Sequence, residues 1–395
     1  MLEVFRRVGF VPRACGWELT LRCNMGCTHC GSLAGRARDD ELDTDECLRL
    51  ADALIELRCQ RVTLTGGEPT LHPVWDQVAE RLTRQKVRVG LISNAWGWQA
   101  NDAERAARAG ICSLCFSLDG LPAEHDAFRR PGSFARVLAA IRDVRAAGLE
   151  AAVNTTIHRN NRHQLVEIRD LLAVAGVRTW QLQYAIPTGA MAAHRDRVLP
   201  AEDLLWLVPQ IADFCRERKG GMYVVASDHI GYFGKTEAQL RQADVSMPFW
   251  LGCWAGMHVL GIESNGNIKG CLSLPSERHG HAGYVEGNVR TESLRDIWRR
   301  KTGFLYNRGF RMDDLRGFCR VCRYGDVCRG GCTWKRHSQT DPDAGDTYCF
   351  YYQATKHRRY DWLDDEPTSA ETAYFEAEAA QGCGNASLKR SPLDP

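Results

Sequence analysis

The sequence lacks the features that would place it at once in several large classes of proteins. Its 51 Lys and Arg are balanced by 49 Asp and Glu, for a net charge of +2, so its overall charge does not predict a nucleic-acid partner. No apolar run reaches the ~18 residues of a membrane span. The first residues lack the apolar region and cleavage site of a secretory signal. We therefore expect a cytoplasmic protein that binds neither nucleic acid nor membrane.

Cysteine is too sparse for a disulfide scaffold, yet it is the unusual feature of the composition. The 17 cysteines make up about 4% of the 395 residues, well below the ~8–10% of small disulfide-rich chains. A chain this long does not need disulfides to fold. In a reducing compartment, many cysteines indicate metal ligands. The alternative is that they are small buried hydrophobic residues.

The first half of the chain alternates strand-like and helix-like segments. Predicted strands are 16–22, 61–65, 87–93, 111–118, 149–157 and 177–186, which are short and rich in β-branched and apolar residues. Predicted helices between them are 44–58, 74–85, 103–109, 134–147 and 164–175. Six such units predict an α/β fold, a partial (β/α)6 TIM-like barrel. Its active site should lie where the strands end.

The remaining chain divides by composition into further segments. We predict a core barrel at 14–200, a bridging region at 201–250 with one helix at 204–219, a small cysteine-rich α+β domain at 251–352 and a flexible tail at 365–395. The small domain should contain a hairpin of 258–262 and 268–272.

Three cysteines follow the first predicted strand within eight residues: Cys23, Cys27 and Cys30. A disulfide would leave an odd thiol, and a tetrahedral zinc site would need a fourth ligand such as His29. A [4Fe–4S] cluster held by three thiolates would leave one iron open to a small molecule. The spacing favours iron–sulfur over zinc.

The Cys-x3-Cys-x2-Cys motif resembles the signature of the radical S-adenosylmethionine (SAM) superfamily. Gly66, Gly67, Glu68 and Pro69 follow the second strand and resemble that family's Gly-Gly-Glu-Pro segment. The resemblance implies that this segment binds the methionine end of SAM, with Glu68 accepting from its ammonium group. Other positions that resemble the family's SAM contacts are His29, Ser93, Asn94, Ser117, Asp119 and Asn154. We also expect Arg129 to meet a carboxylate.

A second cysteine array lies in the C-terminal part: Cys253, Cys271, Cys319, Cys322, Cys328, Cys332 and Cys349. The order and gaps resemble the SPASM domain of peptide-modifying radical SAM enzymes. The resemblance implies two auxiliary [4Fe–4S] clusters, one on Cys253, Cys271 and Cys332, the other on Cys319, Cys322, Cys328 and Cys349. With the first cluster this makes three. We predict an open iron in the three-cysteine cluster unless Cys215 completes it, and we expect the other cysteines to be buried free thiols.

The resemblance implies an enzyme in which the reduced first cluster cleaves SAM to a 5′-deoxyadenosyl radical, which then abstracts hydrogen from the substrate. We predict a maturase of a ribosomally made precursor peptide, forming a thioether or carbon–carbon crosslink or an oxidised residue. The alternatives are a sulfatase-type formylglycine maturase, an enzyme acting on a tetrapyrrole or other cofactor precursor, an electron-transfer protein and a zinc-binding module.

Expected partners follow from this chemistry. The first cluster needs an electron donor such as flavodoxin or ferredoxin. Because only a short segment precedes the first predicted strand, at 16–22, we expect the peptide leader to be recognised directly or by a separate leader-binding protein.

Overall fold

A computed structural model describes residues 2–241, 249–278, 281–338 and 342–386. A parallel sheet forms the first half, and its strands are β1 (Ala14–Thr20), β2 (Arg61–Gly66), β3 (Arg88–Ser93), β4 (Ser113–Ser117), β5 (Ala151–Ile157), β6 (Thr179–Tyr184) and β7 (Tyr223–Ala226). They neighbour one another in chain order, and each pair is parallel. The predicted α/β class and partial barrel are confirmed.

Helices connect these strands, as crossover connections of parallel strands require. They are α1 (Leu2–Val8), α2 (Thr44–Glu56), α3 (Trp75–Thr83), α4 (Ala100–Arg108), α5 (Pro122–Phe128), α6 (Ser133–Ala146), α7 (Leu165–Val174), α8 (Leu204–Glu217) and α9 (Glu237–Leu240). The start of α2 shows how the sequence fixes a boundary. Asp43 accepts from the N–H of Glu46 while the Glu46 carboxylate accepts from the N–H of Asp43, a reciprocal cap that satisfies two N–H groups.

The barrel core lies between the sheet and its helices. Trp17, Trp75 and Trp180 are fully buried there, and large apolar side chains of this kind contribute most of the stabilising burial in a domain.

One strand was missed by the sequence prediction. The stretch after α8 was expected to be an irregular part of the bridge, yet β7 lies there and pairs with β6 through Thr179 and Tyr223. Only two of its four residues are buried, so the strand is too short to give a clear pattern.

The C-terminal part extends the same sheet. Its strands are β8 (Val259–Ile262), β9 (Asn267–Lys269), β10 (Glu277–Arg278), β11 (His281–Ala282) and β12 (Gly287–Asn288). The predicted hairpin is present as β8 and β9. Strand β8 also pairs in parallel with β1, so that Trp17 lies opposite Ile262. The small domain is therefore joined to the barrel by main-chain hydrogen bonds.

Short helices complete this part of the chain: α10 (Leu294–Arg299), α11 (Leu305–Arg308), α12 (Gly325–Cys328), α13 (Thr333–His337), α14 (Phe350–Lys356) and α15 (Ser369–Ala386). Helix α15 falls within the tail that was expected to be flexible. Its Glu371 is buried and accepts from Tyr351 and from the N–H of Arg323, which anchors the first turns. Residues 387–395 and the side chain of Cys383 lie outside the described structure.

Among the helices of the described ranges, none combines the length and the apolar character that crossing a bilayer requires.

Candidate active site

The first three cysteines lie together at the end of β1. Cys23, Cys27 and Cys30 all line one cavity of about 690 Å3 at the ends of the barrel strands. Their loop is fastened at both ends, since the N–H of Cys23 donates to Gly35 and the N–H of Ala190 donates to the carbonyl of Cys30. The loop thus presents three thiols to a single space.

The two glycines after β2 are required by their neighbours. A Cβ on Gly66, whose φ is +142°, would lie 2.2 Å from the carbonyl oxygen of Thr20, and one on Gly67 would lie 2.3 Å from that of Arg22. Both glycines also line the cavity. The two glycines therefore let the turn pack closely against the backbone that leads into the cysteine loop.

Glu68 is buried and is not among the described residues that line the cavity. Its carboxylate accepts from the Thr70 hydroxyl at 2.6 Å and from the N–H of Asn94 at 2.7 Å. Burial raises the pKa of Glu68 despite these hydrogen bonds. In this structure Glu68 ties the glycine turn to the end of β3, and its contact with an ammonium group stays a prediction.

Asn94 links the end of β3 to the cysteine loop. Its amide donates to Asn24 at 2.9 Å and lies 3.6 Å from the Cys23 sulfur. The Ser93 hydroxyl accepts from the N–H of Ala95, which holds the turn that places Asn94.

Arg129 meets a carboxylate, and that carboxylate belongs to the chain itself. Its guanidinium lies 2.5 Å from Asp119, 3.7 Å from the Cys27 sulfur and 3.3 Å from His29. Burial acts to raise the pKa of Asp119, but the Arg129 guanidinium and a hydrogen bond from the N–H of Thr156 lower it to about 2. Burial lowers the pKa of His29 to about 3, so this imidazole is neutral. The ring of His29 stacks on Phe128 at 4.1 Å.

The other predicted contact residues divide into lining and supporting groups. Ser117 and Asn154 lie opposite each other on β4 and β5 and both line the cavity. The remaining lining residues of the predicted set are His29, Gly66, Gly67, Ser93, Asn94 and Arg129. Glu68, Pro69 and Asp119 are buried behind them.

The far wall of the cavity holds residues that the sequence reading missed. Glu18 of β1 accepts from Arg38, and Lys269 of β9 donates to Glu263; all four side chains line the cavity. A charged residue in the middle of the buried strand β1 was a usable signal, since charges are almost never buried without a partner. The contact between the two pairs, in which Arg38 lies 3.6 Å from Glu263 of the C-terminal part, was not readable from the sequence.

The same wall is completed by the C-terminal domain. The loop that follows Cys271, from Leu272 to Ser276, lines the cavity together with Trp334 and His337. The cavity therefore extends from the first cysteine group to the neighbourhood of the C-terminal array.

The seven C-terminal cysteines separate into the two predicted sets. Cys253 hydrogen-bonds with Cys332, and Cys271 is close enough to influence the pKa of Cys332. The other four line a second, narrow cavity walled by apolar and aromatic side chains: Cys319, Cys322, Cys328 and Cys349. Burial raises the pKa of Cys322 and Cys328.

Cys215 does not join the three-cysteine set. It is buried in α8 within the barrel core, with its thiol beside the backbone of Ala226. The structure thus brings three cysteines, and not four, to that group.

These groupings fit iron–sulfur clusters as cofactors. Within the described ranges, no three Cys, His, Asp or Glu side chains are gathered closely enough to hold one metal ion. A cubane cluster binds each cysteine through a different iron, so its ligands are spread around a larger centre. The apolar walls of the second cavity are also suited to a buried cluster, because the surrounding shell controls solvent access.

Comparison with known proteins identifies two domains. Residues 17–172 match the radical SAM superfamily, and residues 253–323 match the SPASM iron–sulfur cluster-binding domain. The chain therefore contains a radical SAM domain and a SPASM domain. It is an enzyme whose cofactors are SAM, a SAM-binding [4Fe–4S] cluster and auxiliary iron–sulfur clusters.

The individual relatives are named for different functions. The chain is 29% identical over 355 residues to an AdoMet-dependent heme synthase of Methanosarcina barkeri, covering 87% of this chain and 98% of that protein. It is 29% identical over 343 residues to the mycofactocin maturase MftC of Mycobacterium tuberculosis, covering 84% and 81%. Its fold matches SuiB of Streptococcus suis bound to the precursor peptide SuiA, with a TM-score of 0.70 at 16% identity over 87% of this chain and 77% of SuiB.

Proposed function

We propose that this enzyme is a maturase that abstracts hydrogen from a ribosomally made precursor peptide, giving a crosslink or an oxidised residue. When bound, SAM and the first cluster supply the carbon radical that performs the abstraction. The chain's own residues bind and orient the reactants and keep water from the reactive space.

The observation that carries the proposal is the charge of the cavity wall. Its cationic lining residues within the described structure are Arg38, Arg129 and Lys269. Each is already paired with a carboxylate, respectively Glu18, Asp119 and Glu263. A wall whose charges are neutralised in pairs suits an uncharged peptide segment better than a substrate with several carboxylates, because displacing a buried ion pair is costly.

The ligand roles form part of the same proposal. Cys23, Cys27 and Cys30 hold the SAM-binding cluster. The residues that line the cavity at the strand ends, with the buried Glu68, Pro69 and Asp119 behind them, form the SAM site. The auxiliary clusters take the two C-terminal cysteine sets, and the three-cysteine set leaves one iron without a protein thiolate. The separation of Cys215 from that set supports this assignment.

A tetrapyrrole substrate is the second candidate. It is favoured by the heme synthase relatives and by Arg159 and Arg195, which line an adjoining cavity of about 310 Å3. Carboxylate side chains are natural partners for arginine. The sulfatase-type maturase is supported less, because no observation here favours it over the other two.

The test compares substrates on anaerobically reconstituted enzyme. The enzyme, SAM and dithionite are incubated with candidate precursor peptides from short reading frames found next to its gene, or with a carboxylate-bearing tetrapyrrole, and products are measured by mass spectrometry together with 5′-deoxyadenosine. A peptide that loses two hydrogens supports the proposal. Conversion of the tetrapyrrole with an unchanged peptide would replace it by the second candidate.

Cysteine variants provide the matched control. Cys27→Ala should abolish both products, whereas Cys112→Ala, an exposed thiol outside the three groups, should retain them. Deoxyadenosine formed by the Cys27 variant would contradict the ligand assignment.

A further inference from the structure

A buried lysine lies at the boundary between the two C-terminal cysteine sets. Lys335 is on α13, the helix that starts directly after Cys332 of the three-cysteine set. It is 1% exposed. Its ammonium group donates to the carbonyls of His229 at 3.0 Å and Tyr348 at 2.8 Å, and it lies 2.9 Å from an Asp346 oxygen. Two ammonium protons are thus donated to carbonyl oxygens, and the Asp346 carboxylate supplies the opposite charge.

The partner carboxylate belongs to the other set. Asp346 is 3% exposed and lies three residues before Cys349 in the sequence. Its second oxygen accepts from the N–H of Tyr348 at 3.0 Å. The carboxylate lines the narrow cavity of the four-cysteine set. The ion pair therefore connects the helix after Cys332 to the loop before Cys349.

Tyr232 strengthens this connection. Its hydroxyl accepts from the N–H of Cys332 at 3.0 Å, and the Lys335 ammonium lies 4.3 Å from the centre of its ring. The tyrosine is fully buried. A cation over an aromatic face adds attraction that is largest where water is excluded.

We propose that the Lys335–Asp346 pair is a positioning element that fixes the two auxiliary cluster sites relative to each other and sets the reduction potential of the four-cysteine cluster. A buried ion pair adds little net stability compared with apolar residues, so its presence between two cofactor sites calls for another role. Reduction adds a negative charge to a cluster, and charge near the cluster is one of the protein's means of tuning its potential. The inference rests on the ligand sets proposed above, but not on the identity of the substrate.

The two partners should act with opposite sign. Asp346 lines the cavity of the four-cysteine set, whereas Lys335 is not among the described residues that line it. Asp346→Asn removes a negative charge and should raise the potential of this cluster. Lys335→Met removes the positive charge and should lower it, while Lys335→Arg should restore most of the wild-type value. A role confined to folding would not predict opposite shifts.

The experiment is a redox titration monitored by electron paramagnetic resonance at pH 8.5. The variants are made in a chain that also carries Cys23→Ala, Cys27→Ala and Cys30→Ala, so that only auxiliary signals remain. The matched control is Asp76→Asn, which breaks a partly buried pair with Arg105, between α3 and α4 of the barrel. It should leave the potentials unchanged.

The outcomes separate this inference from the function it rests on. Opposite shifts for the two substitutions support it, and shifts of equal sign, or no shift beyond that of Asp76→Asn, overturn it. If Lys335→Met cannot be isolated with iron, Asp346→Asn decides alone: a raised potential supports the inference and an unchanged one overturns it. An unsubstituted enzyme with far fewer than ~12 irons would instead refute the ligand assignment.

Discussion

Replacing Gly67 by alanine tests whether the glycine turn and the cysteine loop are one packed unit. The new Cβ would lie 2.3 Å from the carbonyl oxygen of Arg22 and 2.6 Å from that of Leu21. Backbone atoms cannot rotate away as a side chain can, so the turn must move. Two hydrogen bonds of 2.8 Å hold it in place, from the N–H of Gly67 to Thr20 and from the N–H of Glu68 to Arg22.

The expected cost follows from these contacts. Overpacking costs about 1–3 kcal/mol, and each lost hydrogen bond costs about 0.5–1.5 kcal/mol. The total is about 2–6 kcal/mol. Because about 1.4 kcal/mol corresponds to a tenfold change in affinity, even a part of this cost reaching the cavity should weaken SAM binding at least tenfold.

The assay is the dissociation constant of SAM, measured by anaerobic equilibrium dialysis, together with the midpoint of thermal unfolding. Gly90→Ala is the matched control, because a Cβ on this β3 glycine would come no closer than 3.6 Å to Ser113. We expect the control to stay within about twofold of the unsubstituted enzyme, less than about 0.5 kcal/mol. Wild-type SAM affinity and an unchanged midpoint for Gly67→Ala would refute the reasoning.

Three further changes test other parts of the structure. Cys215→Ala should leave the iron content unchanged, and loss of auxiliary iron would show that this cysteine is a ligand. Asp119→Asn leaves Arg129 buried without its carboxylate and should cost about 3–5 kcal/mol in denaturant unfolding at pH 7. The pKa of Asp119 in the folded chain, about 2, lies below its unfolded value of about 3.9. The contribution of Asp119 to the free energy of unfolding is therefore complete above pH ~4 and is lost as the pH falls toward 2. A cost of Asp119→Asn in unfolding free energy that does not shrink over this range would contradict the pairing. Arg290→Met removes a two-pronged pair with Glu46 at the surface and should lower the unfolding free energy by no more than about 1 kcal/mol.

Local patterns were enough to predict the barrel. Each of its first six strands coincides with a predicted segment, because buried strands and amphipathic helices have different periods. The weakly patterned β7 was missed. The tail was misjudged for another reason: Glu371 stabilises α15 only through its contacts with Tyr351 and Arg323, which are set by tertiary structure.

The sequence also predicted only part of the candidate site. Motif spacing identified the cysteines, whose grouping depends on the loops in which they lie. The roles of polar residues depended on partners that lie on other structural elements. Arg129 was expected to meet a carboxylate, yet Asp119 could not be chosen from spacing. The pairing of Lys335 with Asp346 was not anticipated, since nothing local distinguishes it from a surface pair.

The parallel pairing of β8 with β1 has a consequence for the synthesis of the protein. Strand β1 lies in the interior of the finished sheet, between β2 and β8. While the ribosome has not yet produced Val259–Ile262, one edge of β1 is unpaired, and such edges are prone to associate with other chains. The segment between the first cysteine loop and α2 then lacks a neighbour from the C-terminal domain, the Ser264 carbonyl that accepts from the N–H of Leu42. The sheet of the barrel therefore cannot be completed before this part of the C-terminal domain has been synthesised.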